Sequence, residues 1–107
     1  MGVDMWLSVH RDKDSAVLGY QNVCPNGAKY ACSILRTMQE QDRIDFTVFS
    51  PPEEDGAVVE RTLKPIDIRL FLAEFVEHDR SIPTQVIDLL DEHEHTPGLT
   101  WKLTSYH

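Results

Sequence analysis

The sequence predicts a single α+β domain in which a small, largely antiparallel sheet carries about three helices, in the order ββαββααβ. Three observations indicate this class. The chain has 107 residues, which is enough for one hydrophobic core and too few for two. Several short runs alternate apolar with polar residues, whereas three longer runs repeat apolar residues every three to four positions. The strands come in hairpins, and this grouping favours antiparallel pairing.

The N-terminal residues predict a first hairpin. Every second position of residues 3–10 is apolar, as in a strand that buries one face. The polar residues 11–15 form the predicted turn, and residues 16–20 form the returning strand. Trp6 occupies a polar-side position, as Phe49 does in a later strand. We expect helices on the second face of the sheet to bury both aromatic side chains.

A helix is predicted after the loop at residues 24–27, where Asn26 can cap its first turn. Its predicted apolar face consists of Ala28, Ala31, Cys32, Leu35 and Met38. A second hairpin follows, with strands at residues 44–50 and 57–63. The segment between these strands is rich in proline and glycine, which favours a reversal of the chain.

Two more helices and a last strand complete the predicted fold. The helix after Pro65 has an apolar stripe made of Ile68, Phe71, Leu72, Phe75 and Val76. The third helix repeats that spacing with Val86, Leu89, Leu90 and His93. It ends at residues 96–98, and residues 99–104 then alternate as a strand. We expect this strand to pair beside the first strand and to close the sheet.

Charge and cysteine content narrow the classes of partner and the compartment. The net charge is -8; residues 1–52 contain five Lys/Arg against six Asp/Glu, whereas residues 53–107 contain five against twelve. Such a field repels phosphate backbones and anionic lipids, so we expect no direct binding of nucleic acid or membrane.

Cys24 and Cys32 form neither a disulfide framework nor a C-x-x-C motif. With no apolar run long enough for a membrane span and no secretory leader, the predicted location is cytoplasmic.

Catalytic motifs are absent from the sequence. It contains no G-x-x-x-x-G-K-[ST] or G-x-G-x-x-G loop for phosphates and no G-x-S-x-G elbow. Cys24 could act as a nucleophile with His10 or His78 as its base, but no local motif supports the pairing, and a loop or core thiol is the favoured interpretation. We therefore expect no cofactor and favour a non-enzymatic protein.

The acidic residues indicate a binding surface. The predicted partner-binding residues are Glu53, Glu54 and Asp55 in the second hairpin loop and Asp88, Asp91 and Glu92 on the third helix. If they share one side of the protein, they form a negative surface for a basic partner. The predicted function is a protein-binding module, such as a small acidic inhibitor or immunity-type regulator of a nucleic-acid-handling protein. A homodimer is a further alternative, because an uncovered edge strand can pair with a second copy of the chain.

The alternative function is a metal-binding protein or metal-dependent enzyme built around residues 78–95. His78, Asp91, His93 and His95 offer imidazole and carboxylate ligands of the kind that zinc accepts. Their spacing is not H-E-x-x-H, and His93 and His95 point to different faces of a helix. A solvated acidic helix end explains the same residues and competes with this alternative.

Overall fold

The computed structural model describes residues 4–24, 28–50, 58–78 and 80–107, which form a five-stranded sheet and three helices. The elements are β1 (Asp4–Arg11), β2 (Val17–Asn22), α1 (Ala28–Glu40), β3 (Thr47–Phe49), β4 (Val58–Leu63), α2 (Pro65–Glu77), α3 (Thr84–His93) and β5 (Leu99–Tyr106). The predicted class and the order ββαββααβ are thereby confirmed. Across these ranges, no helix has the length and apolarity needed to cross a bilayer.

The sheet is antiparallel throughout, with the strand order β2-β1-β5-β4-β3. As predicted, β5 pairs with β1, from Asp4 opposite Tyr106 to Arg11 opposite Leu99. Its other edge pairs with β4, so β5 is the central strand. The prediction that β5 closes the sheet is therefore wrong, and the sheet stays open with β2 and β3 at its edges.

One face of the sheet and the inner sides of all three helices form the core. Met5, Leu7 and Val9 point into it from β1, together with residues of β4, β5 and each helix. Three side chains depart from the predicted helical faces. Ile34 completes the buried face of α1, where Cys32 is only partly buried, and Val76 of α2 is 53% exposed. Val76 lies at the edge of the apolar stripe, on a side of the helix that does not face the core.

The second face of the sheet carries no helical layer in the described structure, so the prediction that helices bury both Trp6 and Phe49 is wrong. Trp6 is half-buried because the ring of Tyr20 stacks on it, with 4.4 Å between ring centroids. Phe49 is 57% exposed on the edge strand β3. An antiparallel sheet can leave one face to solvent, and this sheet does so.

Candidate functional site

The outer side of α2 is apolar. Ile66 is 61% exposed, Leu70 is 42% exposed and Ala73 is also exposed. These residues are four and three positions apart, so they form one stripe on the helix surface opposite the buried stripe. An apolar stripe on a helix is normally covered by other residues. The core covers only one side of α2, and the stripe remains open.

A groove lies between α2 and α3 and continues this stripe. Its volume is about 410 Å³. Its walls are formed by Arg69, Leu72, Ala73, Val76, Glu77, Ile82 and Ile87. Ala73 belongs to both the stripe and the groove, so the two apolar features are continuous. The volume falls within the range of ligand-binding pockets.

Arg69 joins α2 to the end of α3 beside this groove. Its Nη2 donates to Asp91 Oδ1 at 2.6 Å and to Glu94 Oε1 at 2.9 Å, and its Nε donates to Glu94 Oε2 at 2.6 Å. The two parallel bonds to Glu94 form a fork of the kind that fixes geometry as well as charge. Hydrogen bonding to Arg69 lowers the pKa of Glu94, and the same bonds raise the pKa of Arg69. These bonds fix the position of α2 relative to the C-terminal end of α3.

Of the acidic residues predicted on the third helix, Asp91 lies beside the groove, since it binds Arg69 of the groove wall. Asp88, Asp91 and Glu92 are all exposed, and Asp91 is the one that binds Arg69. Residues 65–95 contain eight Asp/Glu against two arginines, so this segment carries most of the net negative charge of the chain. The predicted loop residues Glu53, Glu54 and Asp55 lie outside the described residues. Their position relative to α3 stays a prediction.

The histidines of the proposed metal site are dispersed. His78 hydrogen-bonds through Nδ1 to the hydroxyl of Tyr30 on α1 at 2.7 Å. The side chain of His95 is 92% exposed, and that of His93 is 18% exposed, at 3.8 Å from Glu92. Among the described residues, no group of three or more His, Cys, Asp or Glu is placed to hold a metal ion. The structure does not bring His78, Asp91, His93 and His95 together.

Cys24 is placed as a core residue. It is 1% exposed, and burial raises the pKa of its thiol to about 11, which opposes formation of a nucleophilic thiolate. The preceding Val23 bonds to Met5 near the start of β1, whereas His10 lies five residues further along, about 16 Å in a strand. His10 instead bonds to Ser8 on the second face of the sheet at 2.8 Å. The pairing of Cys24 with His10 is absent.

The residues that sequence reasoning missed are the apolar ones of α2. Ile66, Leu70 and Ala73 have helical spacing, and the presence of this second stripe was readable in the sequence. The contributions of Ile82 and Ile87 depend on how α3 docks against α2, which the sequence pattern does not specify. Comparisons of the chain with protein-family models, with curated proteins and with solved structures found no match.

Proposed function

We propose that this chain is a non-enzymatic protein-binding module that holds a basic, amphipathic helical segment of a partner protein. The docking surface, here called the α2–α3 face, comprises Ile66, Leu70, Ala73, Val76, Ile82, Ile87, Asp88, Asp91 and Glu92. One observation carries the proposal: the apolar stripe of α2 is exposed and continues into the groove beside an acidic helix. A contiguous apolar patch with a polar rim is typical of an interaction site.

The apolar part of the α2–α3 face supplies affinity. Ile66 and Leu70 are about half exposed, so their complete burial by a partner would contribute about 1 kcal/mol each. The groove beside Ala73 and Val76 offers a place for an apolar anchor of the partner. An amphipathic helix suits this shape because its own apolar residues recur every three to four positions along one line.

The acidic part of the α2–α3 face selects the partner. Asp88 and Glu92 are exposed on α3, and the field of residues 65–95 is strongly negative. Such a field speeds encounter with a Lys/Arg-rich surface and opposes acidic competitors. Basic surfaces are typical of proteins that handle nucleic acid. The specific role we propose is therefore an acidic inhibitor or immunity-type regulator of such a protein. The proposed location is cytoplasmic, which the free thiols of Cys24 and Cys32 support.

The test is affinity capture from the native host with the intact chain and matched variants. Leu70→Glu places a charge in the apolar stripe, and Val17→Glu is its control, because Val17 is 58% exposed on the edge strand β2 and is not part of the α2–α3 face. We expect a basic protein to be captured by the unchanged chain and by Val17→Glu. Its affinity for Leu70→Glu, measured with the purified partner, should fall at least about tenfold, as for an interface residue worth more than 1 kcal/mol.

The charge component has its own variant. Replacing Asp88 with asparagine and Glu92 with glutamine leaves the Arg69 contacts intact and should reduce the dependence of affinity on salt. Capture of the same proteins by Leu70→Glu would contradict the proposal, as would a partner with an acidic surface. Self-association of the chain that is abolished by Leu70→Glu would assign the α2–α3 face to a homodimer instead.

A further inference from the structure

A second cleft lies on different elements, between α1 and the strands β3 and β4. Its volume is about 720 Å³. Its walls are formed by Lys29, Cys32, Ser33, Arg36, Gln39, Phe46, Val48, Val59, Arg61 and His107. We call it the α1–β4 cleft. The size is within the range of small-molecule sites.

The charge of the α1–β4 cleft is opposite to that of the protein. Lys29, Arg36 and Arg61 line it, and no Asp or Glu is among its lining residues in the part of the chain that the structure describes. The chain as a whole has only ten Lys/Arg against eighteen Asp/Glu. Three cations around one concave space form a local positive field that attracts an anion.

Arg61 is the most informative of these cations. It is only 8% exposed, although a buried charge is normally paired with an opposite one. In the described structure, its hydrogen bonds run from Nη1 alone, to Ser105 Oγ at 3.1 Å and to the carbonyl of Val59 at 3.5 Å. Both acceptors are uncharged. The remaining N–H groups of the guanidinium keep their capacity to donate to a ligand.

The surroundings of Arg61 hold it in place. Ser105 Oγ lies between Arg61 Nη1 and His107 Nε2, at 3.1 Å and 3.0 Å respectively. Ser105 is fully buried on the central strand β5, so this contact is fixed by the sheet. The guanidinium is therefore positioned before any ligand arrives, which reduces the entropy cost of binding.

The cleft also has apolar lining. Phe46, Val48 and Val59 supply it, and Val48, which lies opposite Arg61 on the neighbouring strand, is 53% exposed, so its side chain is accessible. Such side chains accommodate a ring or an alkyl group of a ligand. The cationic and apolar side chains together fit a molecule with one anionic group and one apolar group.

We propose that the α1–β4 cleft binds a phosphorylated small molecule, with its phosphate held by Arg61, Arg36 and Lys29 and its apolar part against Phe46, Val48 and Val59. A phosphate monoester has up to two negative charges at neutral pH and three strong acceptor oxygens. Three cations match this group better than they match the single charge of a carboxylate. The site shares no residue with the α2–α3 face, so it stands independently of the proposed protein partner.

The test is calorimetric titration of the intact chain with 1-naphthyl phosphate, which combines a phosphate with an aromatic ring. We expect saturable binding, with affinity at least about tenfold higher than for 1-naphthoate or for inorganic phosphate, each of which lacks one part of the match. Bound 1-naphthyl phosphate should also slow alkylation of Cys32, because this thiol lines the cleft.

Four variants locate the binding. Arg61→Gln should weaken it at least about tenfold, and Arg36→Gln on the surface of α1 tests the same site if Arg61→Gln does not fold. Lys13→Gln is the matched control, since Lys13 is exposed in the turn after β1 and outside the cleft, and it should leave the affinity unchanged. Leu70→Glu should also leave it unchanged.

The proposal is overturned by the absence of saturable binding, by equal affinity for 1-naphthoate, or by an equal loss of affinity in Lys13→Gln. Failure to capture a basic protein with the α2–α3 face would have no bearing on these titrations, so the two proposals fail separately.

Discussion

Replacing Gly19 with alanine will overpack the contact between β2 and α3. A Cβ atom at Gly19 would overlap Leu89 Cδ1 and stand 3.2 Å from Leu89 Cγ, closer than carbon atoms normally approach. The Cδ1 methyl can move away by rotation about the Cβ–Cγ bond, but Cγ moves only if the whole side chain changes its χ1 rotamer or α3 shifts. Because Leu89 is 7% exposed, its neighbours in the core restrict that movement.

The expected magnitude follows from two opposing effects. Overpacking of a core contact costs about 1–3 kcal/mol. Alanine also restricts the unfolded chain. This effect stabilises the folded protein by about 0.4–1 kcal/mol where alanine can adopt the native backbone conformation. We therefore expect Gly19→Ala to lower the free energy of unfolding by about 1–2 kcal/mol. The melting temperature should fall by about 4–8 °C for each kcal/mol.

A double-mutant cycle isolates the contact. Leu89→Ala alone should cost about 2–5 kcal/mol as a buried truncation, and Gly19→Ala should then be neutral or stabilising in that background. Urea unfolding followed by the fluorescence of the buried Trp101 supplies the free energies. Gly98→Ala is the control: Gly98 has φ +75° and no neighbour near its missing Cβ, so its cost of about 1–2 kcal/mol should be the same in both backgrounds. An equal cost of Gly19→Ala in both backgrounds would refute the steric explanation.

Two further predictions concern titration and thiol reactivity. Arg69 lowers the pKa of Glu94 below 4.5, so the stability from their ion pair is complete above pH 4.5 and is lost as the pH falls through the lower folded value. Glu94→Gln should therefore destabilise the protein at pH 7 and approach the unchanged chain in stability at lower pH; a difference independent of pH would exclude this linkage. Because the buried Cys24 thiol has its pKa raised to about 11, the native chain at pH 8 should react with Ellman's reagent at one thiol per chain, and Cys32→Ser should abolish that fast reaction. Two equally fast thiols would mean that Cys24 is accessible.

Several elements were predictable because their periodicity is local. The stripe of α2 starting at Ile68 shows which side of the helix is buried, and the alternation of residues 99–104 shows which side of β5 faces the core. The order of elements followed from such patterns. Strand bounds were less accurate: residues 44–50 were predicted as a strand, but β3 covers only Thr47–Phe49, because Ile44 packs into the core from the preceding loop.

The candidate sites were only partly predictable. Asp88, Asp91 and Glu92 were identified from composition and spacing, and all three are exposed on one helix. The ion pair of Asp91 with Arg69 joins residues on separate helices, and no local pattern specifies such a contact. The same holds for the bond from Arg61 to Ser105, which are 44 positions apart in sequence.

The sequence by itself determined the class of the fold, the element order and the concentration of negative charge in the second half of the chain. These properties depend on residue type and spacing along the chain. Only the tertiary structure decided that β5 lies in the centre of an open sheet, that the outer stripe of α2 stays uncovered, and that three cations of an acidic protein surround one cleft. Periodicity shows which face of an element is apolar, whereas the neighbour that covers it is chosen by packing between residues distant in sequence.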